Sequence, residues 1–214
     1  TPLYSSAASD VYKRQFLHWL NLFTNNFGFS IVIFAFIIKV ILFPLDLYNF
    51  LQEKKLKSIQ EKTKEIFKNI KNDPQQQLEV LSSLYKDLNY HPFLYFFLQF
   101  IQIPLFLAIF FMLKNITASL TAEEFLNIKL NQPSLILALT TIILQLIFIQ
   151  QIPREQRKFS YLFLGLVALI IINFPALFNL YWLTNLLLTF LERQIFSFYE
   201  KKFVTQSIDK EKTL

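Results

Sequence analysis

The chain has 214 residues, of which 54% are hydrophobic and 17% aromatic, and its formal net charge is +6. Its apolar residues are bunched into runs of about 20, the length that crosses the hydrocarbon core of a bilayer, and this excludes an ordinary soluble enzyme. Two glycines, two histidines and no cysteine exclude glycine-rich phosphate loops, disulfides and thiolate zinc sites, so we expect neither a cofactor nor a metal.

The first fifteen residues are polar and weakly patterned. Residues 5–15 resemble a translated sequencing-library adapter, and we leave residues 1–15 out of the fold analysis for that reason. The alternative interpretation is a native polar terminus. With the adapter interpretation, the native sequence begins near Phe16 and sequence upstream of it is expected to be missing. Residues 16–27 predict an external amphipathic helix in the membrane interface, because Phe16, Leu20 and Phe23 recur at helical spacing.

Five apolar segments follow and predict five transmembrane helices. They cover about residues 29–48, 92–113, 133–151, 159–173 and 176–198. Phe174 and Pro175 separate the last two segments, and proline removes a backbone donor, so a tight helical hairpin is expected there.

The polar connections predict the orientation of these spans. Lysine and arginine are concentrated in residues 51–91, in residues 152–158 and in the tail after Glu192, whereas the loop 114–132 carries only Lys114 and Lys129. The positive-inside rule then places the N-terminus outside and the C-terminus in the cytoplasm, with residues 201–214 as a basic cytoplasmic tail.

Residues 51–91 predict a cytoplasmic hairpin of two helices. Each half carries a narrow apolar seam with steps of three and four residues: Leu56, Ile59, Thr63, Ile66 and Ile70 in the first, and Leu78, Leu81, Tyr85 and Leu88 in the second. Asn72-Asp73-Pro74 indicates a helix end, an N-cap and a proline at the first helical position. The hairpin is either an arm that contacts substrates or a solvated connection between two spans. Direct binding of nucleic acid is disfavoured, because acidic residues interrupt the lysines.

Lys39 lies near the middle of the first predicted span. A charge at that depth costs roughly 2.5–3.5 kcal/mol on insertion scales, which favours a lysine that faces a hydrated cavity or the bundle interior. The alternative is a lysine that snorkels to the interface. We identify no second charge within the membrane to pair with Lys39. Further polar or amphipathic side chains on the spans are possible cavity-lining groups, namely Gln99, Gln102, Gln145, Tyr181 and Trp182.

The spans contain neither a nucleophile with a base nor a carboxylate pair, so no enzyme is predicted. The sequence instead predicts an all-α polytopic membrane protein with five transmembrane helices and a cytoplasmic two-helix hairpin between the first and second spans.

Four parts of the chain, in order, resemble the conserved core of YidC-type membrane protein insertases. They are residues 26–33 with 38–45, the Leu84-Tyr85-Lys86 end of the cytoplasmic hairpin, residues 101–108, and Phe174-Pro175 with residues 180–185. The resemblance covers about residues 16–200 and implies an insertase core over residues 28–200. It implies a hydrophilic groove, open to the cytoplasm and the lipid, through which integral membrane proteins are inserted and helped to fold.

In the groove, the resemblance implies a basic residue at the position of Lys39, where the family usually has arginine, and groove-facing side chains at Gln102 and Tyr181. Lysine keeps the charge but lacks the planar fork that binds a carboxylate with two hydrogen bonds. The implied partners are nascent membrane proteins, the lipid bilayer, the Sec translocation channel and the ribosome. The implied location is the inner membrane of a bacterium.

Two other functions fit the charge in the first span. One is a small-solute transporter or channel subunit that uses Lys39 as its site, although such proteins often contain internal repeats and glycine-broken helices. The other is a structural subunit of a membrane complex, in which Lys39 is buried against a partner.

Overall fold

The computed structural model describes residues 19–70, 73–118, 120, 123–150 and 154–212. Within these ranges, the side chains of residues 69, 99, 102, 103, 154–156 and 201–212 are outside the description. The adapter-like residues 1–15, the beginning of the predicted interfacial helix and Asn72 also lie outside the described residues.

The described chain is helical apart from one small β-hairpin. The helices are α1 (Phe27–Asn69), α2 (Pro74–Asp87), α3 (Pro92–Thr117), α4 (Leu135–Gln150), α5 (Arg154–Asn173) and α6 (Ala176–Lys212); strands β1 (Glu124–Phe125) and β2 (Ile128–Lys129) pair antiparallel. A helix satisfies its own backbone hydrogen bonds, which makes this architecture suitable for a bilayer. The small hairpin lies in the loop 114–132, for which the sequence indicated no regular structure.

The helices α1 and α6 extend far beyond the spans predicted within them. α1 continues without a break from Phe27 to Asn69, through Pro44, so the first predicted span and the first half of the predicted hairpin are one helix. α6 likewise extends past residue 198 to Lys212. A chain that leaves the membrane as a helix keeps its backbone hydrogen bonds, so the change of solvent does not require a helix end.

Among the described residues, one helix has both the length and the hydropathy needed to cross a bilayer. This helix is Phe27–Lys68, with a mean hydropathy of 2.5 over its most apolar stretch. α4 is apolar but has 16 residues, or about 24 Å, against about 30 Å for the hydrocarbon core. The helical fold agrees with the sequence, and the count of five spans stays a prediction.

The helices expose large apolar side chains to their surroundings. Among the most exposed are Phe93, Phe159, Ile136, Phe198, Leu162 and Leu169. In water, so much exposed apolar area would indicate a binding surface or an aggregation hazard. On helices of this composition it forms a surface that lipid tails can cover.

The chain forms two compact units, the first made of residues up to Ile41 with Phe106–Ile195 and the second of Leu42–Leu105 with the residues from Phe196 onward. In the first unit, the segment after the β-hairpin holds the beginning of α6. The backbone N–H of Ala176 donates to the Gln132 oxygen at 2.7 Å, and that of Leu177 donates to the Leu130 oxygen at 3.0 Å. Leu130 and Leu177 are completely buried.

The same β-hairpin contacts the beginning of α1. The Asn26 side chain accepts hydrogen bonds from the backbone N–H groups of Gly28 and Phe29, at 2.9 and 3.3 Å, and so caps the helix. The Phe125 ring packs edge-on against Phe29, with 5.2 Å between ring centroids. Because one hairpin and the segment after it contact both helix starts, α1 and α6 begin at the same end of this unit.

In the second unit, α2 packs against the part of α1 beyond residue 51. Ile59, Leu84 and Tyr90 are buried together, and partly buried apolar side chains surround them: Leu56, Val80, Leu81, Tyr85, Leu88 and Tyr95. Asp73 caps α2 by accepting hydrogen bonds from Gln75 and Gln76, each at 3.0 Å.

Leu78 departs from the predicted seam, because its side chain is 70% exposed. It lies in the first turns of α2, next to the turn, where the two helices have only begun to pack.

Near the other end of α2, burial raises the pKa of Tyr90 to about 12, so this ring stays neutral.

The two glycines provide a matched pair for a stability prediction. A Cβ at Gly28 would collide with the Phe125 side chain, whereas a Cβ at Gly165 would meet nothing within 4 Å. We expect Gly28→Ala to lower the unfolding free energy in detergent micelles by about 1–3 kcal/mol, the usual cost of overpacking. Gly165→Ala should be neutral or slightly stabilising, because alanine favours helix by about 0.5–1 kcal/mol. Equal melting temperatures for the two variants would contradict the contact between the hairpin and α1.

Candidate functional site

The candidate site centres on a buried ion pair between α1 and α6. The Lys39 Nζ lies 2.7 Å from the Glu192 Oε2, and the two side chains are 9% and 12% exposed. Both residues belong to the first unit. A 2.7 Å contact between an ammonium and a carboxylate is a charge-assisted hydrogen bond, the stronger kind in proteins.

This pair corrects one conclusion of the sequence analysis, which found no second charge within the membrane. Glu192 lies inside the predicted fifth span, six residues before its end at residue 198. In the sequence analysis, Glu192 was assigned to the cytoplasmic side because a basic tail follows it. The continuous helix α6 instead places the carboxylate on the same helical surface that packs against α1.

The depths of the two residues explain why they meet. Lys39 follows the start of α1 by 12 residues (39 − 27), and Glu192 follows the start of α6 by 16 residues (192 − 176). At 1.5 Å per residue these positions lie about 18 and 24 Å from the helix starts. Since both helices begin at the same end of the unit, the two side chains reach similar depths, and their length bridges the remaining difference.

A protein with both charges of such a pair, or with neither, is more stable than one that keeps a single buried charge. Its Coulomb attraction roughly offsets the desolvation of the two ions, so the intact pair contributes little net stability. Loss of one partner leaves a buried charge without compensation, which typically costs 3–5 kcal/mol.

Tyr181 and Trp182 line a different feature, a small apolar recess. The recess is lined by Phe106, Ile109, Phe110, Leu113, Phe174, Phe178, Tyr181 and Trp182. The Trp182 ring meets Phe106 edge-on at 5.7 Å, and the Tyr181 ring lies 6.2 Å from Phe34. Glu192 follows Tyr181 by 11 residues, or about 16 Å along α6, so the recess and the ion pair lie at different depths.

Of the three glutamines predicted to line the groove, the structure describes the side chain of one, Gln145. The side chains of Gln99 and Gln102 lie outside the described residues. Gln145, on α4, is partly buried, and its Oε1 is buried without a hydrogen-bond donor. A buried amide oxygen normally finds a donor, because an unpaired one costs about 1–3 kcal/mol. Gln145 is therefore a polar position within the first unit that a hydrated or polar guest would satisfy.

A second, more exposed ion pair joins α1 and α6 within the second unit. The Lys54 Nζ lies 2.9 Å from the Glu200 Oε2, and it also lies 5.3 Å from the centre of the Phe50 ring. Phe50 in turn packs against Phe196. The Lys54 and Glu200 side chains are 42% and 35% exposed, so solvent screening leaves this pair worth at most about 1 kcal/mol.

Comparison with known proteins identifies relatives of the chain. The family model described as 60Kd inner membrane protein matches residues 19–202. The membrane protein insertase YidC of Campylobacter jejuni is 30% identical over 189 residues, which cover 85% of this chain and 36% of that protein. The corresponding protein of Aquifex aeolicus is 30% identical over 176 residues, which cover 79% of this chain and 35% of that protein.

The fold also resembles a solved structure. A crystal structure described as active YidC insertase with the first transmembrane domain resolved superposes with a TM-score of 0.61 at 22% identity, covering 88% of this chain and 45% of that one. The likeness supports the helical fold. The chain spans about a third of the length of the curated relatives above.

The ion pair leads to a stability prediction. We expect Glu192→Gln to lower the unfolding free energy in detergent by about 3 kcal/mol, because Lys39 would keep a buried and uncompensated charge. The double variant Lys39→Met/Glu192→Leu should lose much less than the sum of the two single variants, since it removes both charges. Glu200→Gln is the matched control on the same helix, with an expected loss below about 1 kcal/mol. Thermal unfolding of these three variants and of the two component single variants, Lys39→Met and Glu192→Leu, measures this, and additive losses in the double variant would argue against the pair.

Proposed function

Because this chain belongs to the 60Kd inner membrane protein family, the family of the YidC-type insertases, we propose that it inserts integral membrane proteins and assists their folding. It does so in the inner membrane of a bacterium, through a hydrophilic groove that carries the positive charge of Lys39. Its substrates are nascent membrane proteins. The Sec translocation channel and the ribosome are the further partners that we propose from the resemblance.

The observation that carries this proposal is the buried Lys39–Glu192 ion pair, held between two helices with apolar surfaces. Such a pair provides charge and polarity at a depth where a polar segment of a substrate otherwise finds only hydrocarbon. The orphaned oxygen of Gln145 adds a second polar position in the same unit. Tyr181 and Trp182 would supply aromatic surface for the apolar part of a substrate helix. The assignment of Gln99 and Gln102 to the groove comes from the sequence alone.

The mechanism requires no covalent step. Polar groups within the membrane lower the free energy of moving a short hydrophilic tail part of the way across. Lys39 offers a counter-charge to acidic residues in that tail. The apolar helix of the substrate then moves into lipid, where burial of apolar surface contributes about 25 cal/mol per Å² and drives the process to completion.

We further propose five spans, with the N-terminus outside, the C-terminus in the cytoplasm, and residues 51–91 as a cytoplasmic hairpin. The distribution of lysine and arginine along the chain supports this orientation. The packing of α2 on α1 supports the hairpin.

Labelling of single cysteines tests the orientation, and the native chain has no cysteine to interfere. We expect Gln76→Cys, at the start of α2, to react with an impermeant maleimide only from the cytoplasmic side. Leu126→Cys, at the exposed tip of the β-hairpin, should react only from outside. The reverse pattern would overturn the topology, and reaction of both residues from one side would overturn the span count.

Complementation tests the role of Lys39. In cells depleted of their own insertase, Lys39→Arg should support insertion of a single-span reporter with an acidic external tail, because charge and length are kept. Lys39→Glu should lower that insertion roughly tenfold or more, which corresponds to the loss of about 1.4 kcal/mol of attraction.

Two controls distinguish the effect of the changed charge at Lys39 from an effect of the substitution on folding. A reporter with a neutral tail should be affected much less by Lys39→Glu, because it makes no use of the counter-charge. Lys57→Glu changes the same charge at a half-buried position paired with Glu53, and it should behave like the parent. Normal insertion of the acidic-tailed reporter by the Lys39→Glu variant would refute the counter-charge mechanism.

A further inference from the structure

We infer that Glu192 determines substrate specificity by competing with the substrate for Lys39. In the resting molecule the Glu192 carboxylate occupies the ammonium, and an acidic residue of the substrate tail takes its place during insertion. The inference rests on the proposed function and adds a residue to which the family resemblance assigned no role.

The geometry supplies the first argument. The Glu192 Oε2 lies 2.7 Å from the Lys39 Nζ, the distance that a substrate carboxylate would itself adopt in a charge-assisted hydrogen bond. The internal carboxylate therefore stands where the external one has to bind. The lysine ammonium is a compact charge on a single nitrogen, so two carboxylates bound to it at the same time would lie close together and repel each other. The Lys39–Glu192 contact therefore favours exchange, in which the substrate carboxylate takes the place of the Glu192 carboxylate.

The free energies of exchange supply the second argument. Replacement of the Glu192 carboxylate by an aspartate or glutamate of the substrate keeps Lys39 paired with an anion of the same chemistry. The displaced Glu192 carboxylate is then the one charge that water has to compensate, whereas opening of the pair without a new anion leaves two. Opening of the pair by a neutral tail leaves buried charges without compensation, which is strongly unfavourable. An intact pair thus admits acidic tails more readily than neutral ones. It also limits that preference, because every acidic tail has to displace a carboxylate that is already bound.

The surroundings of the pair supply the third argument. The two side chains retain 9% and 12% exposure, so the pair is buried but not completely. By contrast, the fully buried side chains of this unit, such as Ile31 and Leu177, form its packed interior. The pair is less completely buried than that interior, and the exchange requires a substrate carboxylate to reach it from this less buried side.

Insertion of three reporters that differ in a single tail residue tests the inference. The tail carries aspartate, asparagine or lysine at one position, and the full chain is supplied in cells depleted of their own insertase. The quantity measured is the ratio of aspartate-tailed to asparagine-tailed insertion. We expect Glu192→Gln to raise this ratio roughly tenfold, equivalent to about 1.4 kcal/mol, because the substrate carboxylate no longer has a competitor. Lysine-tailed insertion should fall, since Lys39 repels it without compensation.

Glu192→Asp keeps the charge and the fold but shortens the side chain by one methylene. It weakens the internal contact and should raise the ratio by an intermediate amount, so the test does not depend on the stability of Glu192→Gln. Glu200→Gln removes an exposed carboxylate from the same helix and should leave the ratio unchanged. The double variant Lys39→Gln/Glu192→Gln should bring the ratio close to one.

The outcomes distinguish this inference from the proposed function. If Glu192→Gln and Glu192→Asp lower aspartate-tailed and asparagine-tailed insertion equally, Glu192 is a structural partner of Lys39 and the competition is refuted, while the insertase function stands. If the double variant keeps the preference for aspartate, the counter-charge role of Lys39 itself fails. If none of the variants with Lys39 intact inserts any reporter while the parent does, the pair is required as a permanent unit and the exchange is refuted.

Discussion

The chain has to compensate one positive charge placed well inside an apolar helix. An isolated lysine near the centre of a bilayer is costly, and the cost falls when a carboxylate approaches the ammonium. Glu192 provides that carboxylate at 2.7 Å. The packing of α1 against α6 therefore has to keep a fixed register, because a shift of one helical turn, about 5.4 Å, would separate the two charges.

The β-hairpin and the segment that follows it set this register. Hydrogen bonds from Ala176 and Leu177 to that segment fix the start of α6. The Phe125 ring, resting on Gly28, fixes the start of α1. A glycine is required at this point because a side chain would fill the space of the ring. A small element outside the helices thus determines the depth at which the charges meet.

The ion pair and the aromatic recess lie at different depths of the first unit, which also contains the polar position at Gln145. A substrate of a membrane insertase has the same division, with a hydrophilic tail next to an apolar helix. The proposed function uses charge and polarity for the tail and the aromatic surface for the helix. Exchange of carboxylates on Lys39 would let the chain hold a tail briefly and release it, because the Glu192 carboxylate stays beside Lys39 on α6 and competes for the same ammonium.

Sequence alone determined the class of protein, since apolar runs, basic connections and a lysine within a span are properties of composition and order. It also located the Asp73 cap and much of the apolar contact around Ile59, because both depend on residues close together along a helix. The partner of Lys39 could not be found in this way, because Glu192 is 153 residues distant (192 − 39) and borders a basic tail. Only the tertiary structure identified Glu192 as the partner of Lys39. The pairing depends on two helices that start at one end of the unit and on a β-hairpin that holds them in register.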